Sequence, residues 1–243
     1  MNTTVKNGIL FKYRNCKDDG LRVLRNRELW FATADNFNDP FEAETSFPDV
    51  LAAVWARKEL PLDLKLKFEE ALKESISTYG VCALSRARKN QLMWSHYADE
   101  HRGFCIGFKE KELRYEGSKI HAIDITYQSN YPYQGIIDRL NFFENHPNEN
   151  NLHNIAGDII HSILGTKYSG WRYERERRLI KLDSGALKFE PKAINSIAFG
   201  LRTSEESKEE IRSLLSGKEW SHVKWYKAEK SIVKYSLDFS LMS

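Results

Sequence analysis

The run Trp171-Arg-Tyr-Glu-Arg-Glu-Arg-Arg-Leu-Ile180 sets charged groups at every second position. Side chains of a strand alternate between two faces. The run therefore predicts a strand over 174–181. Arg172, Glu174, Glu176 and Arg178 would share one side, and Tyr173, Arg175 and Arg177 the other. Like charges two residues apart raise each other's pKa, and a flanking arginine lowers it. Paired carboxylates of this kind suit a developing oxocarbenium ion, as at a glycosidic bond. Spacing alone favours the plainer alternative, an exposed strand laced with surface ion pairs of little energetic weight.

Around this run, strands and short helices interleave with no regular βαβ period and no repeat. Strands are predicted over 9–14, 28–33, 79–85, 103–108, 120–127, 194–199, 223–226 and 232–237. Helices are predicted over 21–25, 50–79, 92–98, 152–164 and 204–215, the last with Ser204 as its N-cap and Gly217 just past its end. The Asn-rich run 141–151 predicts a mobile loop. The fold class is α+β, with sheets central and helices peripheral, and 1–243 reads as one domain.

The 243 residues are long enough for a normal core, and 41% of them are hydrophobic. A net charge of +3 is too mild to establish a nucleic-acid partner. Cys16, Cys82 and Cys105 are odd in number and form no CxxC pair, so they read as buried reduced thiols. No signal peptide and no run of ~18 apolar residues is visible. The expectation is a cytoplasmic protein without a membrane partner. There is no G-x-G-x-x-G, Walker A loop, G-x-S-x-G elbow or H-E-x-x-H. His96 and His101 are poorly spaced as metal ligands on one helix face, and no metal site is expected.

Three further runs carry chemistry. In Met93-Trp-Ser-His-Tyr-Ala98, the side chains of Trp94, Ser95, His96 and Tyr97 suit stacking on a base or nicotinamide ring and bonding to its amide. They equally suit a helix that buries Trp94 and Tyr97. Tyr13-Arg14 ends the first strand with a guanidinium fork suited to phosphate, or simply to solvent. Phe37-Asn-Asp-Pro-Phe-Glu42 reads as a turn.

Together, Phe11-Lys-Tyr-Arg14, Leu29-Trp-Phe-Ala32, Phe37-Asn-Asp-Pro-Phe-Glu42, Met93-Trp-Ser-His-Tyr-Ala98, His101-Arg-Gly-Phe104, the Trp171 run and Ile197-Ala-Phe-Gly200 resemble a widespread bacterial family catalogued as a domain of unknown function. A second arrangement is similar to ADP-ribosyltransferases of the toxin type. Those proteins carry an Arg or His on the first strand, a Ser, Thr or Tyr on a middle strand and a Glu, often in an E-x-E pair, on a late strand. Arg14, Ser85, Glu176 and Glu174 match these positions. Ser85 stands in Ala-Leu-Ser-Arg rather than a Ser-Thr-Ser run, so Tyr97 competes with it.

This resemblance implies a split, two-sheet fold with NAD in the cleft. Tyr13, Arg14, Ser85, Trp94, Ser95, His96 and Tyr97 would bind the cofactor, and Glu176 would stabilise the charge as nicotinamide leaves. Glu174 would orient or deprotonate the acceptor. Arg172, Arg175 and Arg177 would attract RNA or DNA if the acceptor is not a protein. The expected protein is a toxin or anti-phage effector with an antitoxin or chaperone. Two rivals remain: a non-catalytic sensor that binds a nucleotide or a protein, and a nuclease holding Mg²⁺ through Glu174, Glu176 and His96.

Overall fold

The computed structural model describes residues 8–37, 39, 41–114, 119–146 and 149–242, without the side chains of 43–46, 75 and 149–153. Its centre is an eight-stranded mixed sheet. Strand β1 (Ile9–Arg14) has a complete antiparallel register with β4 (Phe104–Lys109), from Ile9 opposite Lys109 to Arg14 opposite Phe104. The sheet was read from sequence in outline, and the α+β class holds.

Two smaller ladders flank the sheet. One joins β2 (Glu28–Phe31) to β9 (Gly185–Lys188), and the other joins β6 (Thr126–Gln128) in parallel to β7 (Thr166–Tyr168). On one side of β1, β4 leads to β10 (Ile194–Phe199), then in parallel to β11 (Lys224–Lys230) and finally β12 (Leu237–Leu241). On the other side, β3 (Tyr79–Ser85) leads to β8 (Glu176–Leu182) and β5 (His121–Asp124).

The two sides meet poorly. Strands β1 and β3 are in register only at Phe11 opposite Ser85. Backbone groups left open at such a seam need other partners. The Lys12 ammonium supplies one, donating to the Ala83 carbonyl at 2.7 Å. The seam is where the cleft described below opens.

Alternation along the strands sends side chains into different cores. Cys82, Leu84 and Leu179 enter a cluster with Leu10, Phe104, Ile106 and Phe199, covered by α1 (Asp18–Arg25) and α8 (Glu205–Leu214). Val81 and Ile180 point to the opposite face. There they meet α2 (Ala43–Trp55), α3 (Leu62–Thr78), α6 (Tyr133–Asn145) and α7 (Glu149–Leu164). A third cluster packs Tyr13 and Cys105 under α4 (Gln91–Tyr97). Asn90 starts α4, its side chain accepting from the N–H groups of Leu92 and Met93. A short helix, α5 (Glu110–Leu113), follows β4 directly.

Four expectations are corrected. The strand expected over 174–181 begins only at Glu176, because Ser169–Glu174 coils as a 3₁₀ turn and Arg175 takes a left-handed φ of 47°. Tertiary bonds fix that turn: the Ser85 hydroxyl donates to the Glu174 carbonyl at 2.6 Å, and the Arg86 N–H to the Arg175 carbonyl at 2.9 Å. The run 141–151 is mainly helical outside 147–148, which lie beyond the described residues. Burial of Ile136, Leu140 and Phe143 on one face of α6 outweighs its Asn-rich end. The last strand starts at Leu237, and Ile232 and Tyr235, each 99% exposed, belong to the preceding turn. The strand over 120–127 divides at Ile125, its halves joining β8 and β7.

All three cysteines are free; Cys82 and Cys105 are buried and Cys16 partly so. Among the described residues, no helix is long and apolar enough to cross a membrane.

Candidate functional site

A cleft of about 390 Å³ lies along the seam. Strand β1 contributes Lys12 and Arg14 to its walls, and β3 contributes Ala83 and Ser85. Tyr97 enters from the last turn of α4, and Phe37, Trp30 and Trp171 add aromatic surface.

The floor is a buried cluster of charge. Lys167 Nζ lies 2.9 Å from Glu42 Oε1, 2.6 Å from Glu174 Oε2 and 3.1 Å from Glu176 Oε2. Arg178 grips Glu176 Oε1 and Glu42 Oε2, each at 2.7 Å. Its third contact is the Leu164 carbonyl at 2.7 Å. Charges taken from water persist only when paired and bonded. Here three carboxylates share two cations. Burial pushes the Glu176 carboxyl up, but Arg178 and Lys167 outweigh it and hold the group at about 2. Glu42 goes the other way, because burial outweighs the same two cations. Burial alone would lower Lys167, but the surrounding Glu176, Glu42 and Glu174 raise it, so it stays protonated.

The Tyr97 hydroxyl donates to Glu174 Oε1 at 2.5 Å. Its pKa is raised, first by burial and then by that bond to a carboxylate. Ser85 also reaches the cleft wall, but its hydroxyl is spent on the backbone of Glu174. Of the two candidates for the middle-strand position, only Ser85 lies on a strand, where it shapes the turn that carries Glu174, while Tyr97, on helix α4, touches the carboxylate.

Arg14 and Lys12 lie on one face of β1, two residues apart. Arg14 Nε is buried and has no hydrogen-bond partner among the described residues. Burial lowers the pKa of both groups. Buried donors without partners are rare and call for an explanation. Tyr13 reaches the wall too, but its hydroxyl donates to the Ala87 carbonyl at 2.5 Å, and burial raises its pKa.

Three expected residues do not line the cleft. Trp94 is fully buried, donates to the Arg88 carbonyl at 2.8 Å and packs edge-on against Tyr13, so it is core. Ser95 is exposed and bonds to His101 Nε2 at 3.3 Å. His96 is exposed beyond Tyr97 and Tyr173. Glu174, Glu176 and His96 thus do not gather, and among the described residues no cluster of His, Cys, Asp or Glu is arranged for a metal ion. Arg177 is also unlike its expectation. It is buried on Glu110 at 2.6 Å and Asp124 at 3.0 Å, and only Arg172 and Arg175 remain exposed.

Lys167, Glu42 and Lys12 were missed. The Phe37–Glu42 motif does form a turn at its described end, with Phe41 N–H donating to Asp39 Oδ1 at 2.9 Å. Asn38 and Pro40 lie outside the described residues. The turn does more than reverse the chain. Trp171 Nε1 donates to Asp39 Oδ2 at 2.6 Å, Phe37 lies under the Arg178 guanidinium at 4.9 Å, and Glu42 joins the cluster. The signal available was the motif's place in the resemblance. Lys167, in Thr-Lys-Tyr, had none.

The chain is thus an α+β protein with a charged, aromatic-walled cleft at a sheet seam. Residues 93–179 match the model of a family described as "Protein of unknown function (DUF2971)". The match runs from α4 to β8 and includes the Met93 and Trp171 runs, which agrees with the resemblance to a family of unknown function. No curated protein and no solved structure matches the chain.

Proposed function

We propose that the protein is an NAD-dependent ADP-ribosyltransferase. The observation that carries the reading is the meeting, in one cleft, of an unpartnered buried Arg14 Nε and a carboxylate, Glu176, held ionised. The first suits the diphosphate of a dinucleotide. The second suits the cationic ribose that forms when the bond to nicotinamide breaks. The thin β1–β3 seam, paired at one register position inside a single eight-stranded sheet rather than between two separate sheets, is the feature that supports a split arrangement.

In this reading Lys12 assists Arg14 at the diphosphate, and Trp30, Trp171 or Tyr97 flanks the nicotinamide ring. The C1′–N bond breaks and nicotinamide leaves as a neutral molecule with the bonding pair. An acceptor lone pair then forms the new bond at C1′, and the acceptor's proton passes to Glu174. The ionised Glu176 carboxylate faces the developing cation. Lys167 and Arg178 fix the carboxylates beforehand, so little reorganisation is needed.

The test is nicotinamide release and label transfer from NAD. Glu176→Gln keeps size and an acceptor for Arg178 but removes the charge. Release should fall by ~100-fold or more, about 3 kcal/mol of barrier. Glu174→Gln should reduce transfer more than it reduces release. Wild-type rates in a Glu176→Gln protein that still melts in one cooperative transition above the assay temperature would end the proposal.

A further inference from the structure

A second cavity of about 390 Å³ adjoins the cleft, and Lys167 stands in the walls of both. Its mouth is flanked by Phe41, 67% exposed, and Tyr168, 56% exposed. Large rings left this open on one cavity keep apolar area in water that a flat partner would cover. Behind them the loop Gln128-Ser129-Asn130-Tyr131 supplies polar groups and a third ring. The Asn130 side chain, exposed, makes no hydrogen bond among the described residues and offers both a donor and an acceptor.

Positive charge lies alongside. Arg172 Nη2 donates to the carbonyl of Tyr127, the residue next to Gln128, at 3.1 Å. It is exposed and has no ion pair among the described residues, and the same holds for Arg175 in the turn between Glu174 and Glu176. Of the other exposed arginines, Arg22, Arg25, Arg27, Arg102 and Arg139 are paired with carboxylates, and Arg57 and Arg202 have no ion pair among the described residues. Single-strand platforms are built from rings able to stack, amides able to read a base edge and guanidinium groups able to hold phosphates.

We propose that this cavity takes an unstacked base of a single-stranded nucleic acid, whose backbone passes Arg172 and Arg175. The proposal deepens the transferase reading, because it names the acceptor class and sets that base across Lys167 from Glu174. The binding itself does not require NAD. Single-strand binding and NAD cleavage can therefore fail separately.

The experiment is fluorescence anisotropy of labelled 12-residue oligonucleotides, single-stranded and duplex, without NAD and at two salt concentrations. Single strands should bind more tightly than duplex. Tyr168→Ala and Phe41→Ala should each weaken binding about tenfold, as loss of one base stack does. Arg172→Glu should weaken it and flatten the salt dependence. All three side chains are exposed, and thermal melts confirm folding. Equal binding of single strand and duplex, unchanged affinity in the ring variants, or capture of an acidic peptide in preference to the oligonucleotide would overturn the proposal. Tight, ring-dependent binding without any nicotinamide release would keep the base site and remove the transferase.

Discussion

Lys167 touches oxygens of three glutamates at 2.6 to 3.1 Å, and among the described residues Arg178 alone shares its task. Removing one partner from a buried ionic cluster leaves charge unpaired at a cost of about 3–5 kcal/mol. Lys167→Met should therefore lower Tm by roughly ten degrees. The pH dependence has a definite sign. Glu176 titrates near 2 in the fold, below its ordinary 4.5. Its contribution is present above 4.5 and is lost as pH falls through 2. Glu42 is raised, so its contribution is full below its ordinary value and is lost as pH rises through the raised one. With Lys167 gone, Glu176 loses one of its two cations and its pKa rises. Acid unfolding of Lys167→Met, followed by circular dichroism, should begin at a higher pH than in wild type. Coincident acid titrations would show that the ammonium does not hold Glu176 down.

The turn from Ser169–Glu174 into β8 is what lets neighbouring carboxylates meet one ammonium. Period-2 alternation foresaw Glu176 and Arg178 on one face, because that signal is local. At Glu174 the strand itself was wrong, yet its carboxylate still meets that of Glu176 on Lys167, because Ser85 and Arg86 fix the turn that carries it. The same distinction explains the rest. Strands β1 and β3, helix α4 and the Ser204-capped α8 were legible from local periodicity and caps. Glu42 and Lys167 were not, since each is defined by partners far along the chain. Arg175 tests this element directly. A left-handed φ of 47° costs a side chain about 1 kcal/mol and a β-branched one more. Arg175→Gly should keep or raise Tm, while Arg175→Val should lower stability by about 1–2 kcal/mol and reduce nicotinamide release as Glu174 shifts. Equal melts for both variants would mean that the turn is not conformationally constrained.

At the scale of the whole molecule, the seam raises the question of whether two halves unfold apart. Backbone pairing argues for division, since β1 and β3 are in register at one position and Lys12 bridges to Ala83. Each missing ladder bond, however, is worth only about 0.5–1.5 kcal/mol. Side-chain burial argues for unity. Leu10, Phe104 and Ile106 from one half share a cluster with Cys82, Leu84 and Leu179 from the other. A fully buried Leu, Ile or Phe contributes about 1.5–3 kcal/mol, so a few of them outweigh the thin ladder. Strands β3 and β8 also feed the helical layer through Val81 and Ile180, which ties that layer to the same event. Calorimetry should therefore give one transition for the 243 residues, with the van't Hoff and calorimetric enthalpies equal at roughly 170 kcal/mol near 60 °C. Two resolved transitions, one of which is abolished by Leu84→Ala and the other insensitive to it, would identify the seam as a boundary between separately stable units and the cleft as an interface between them.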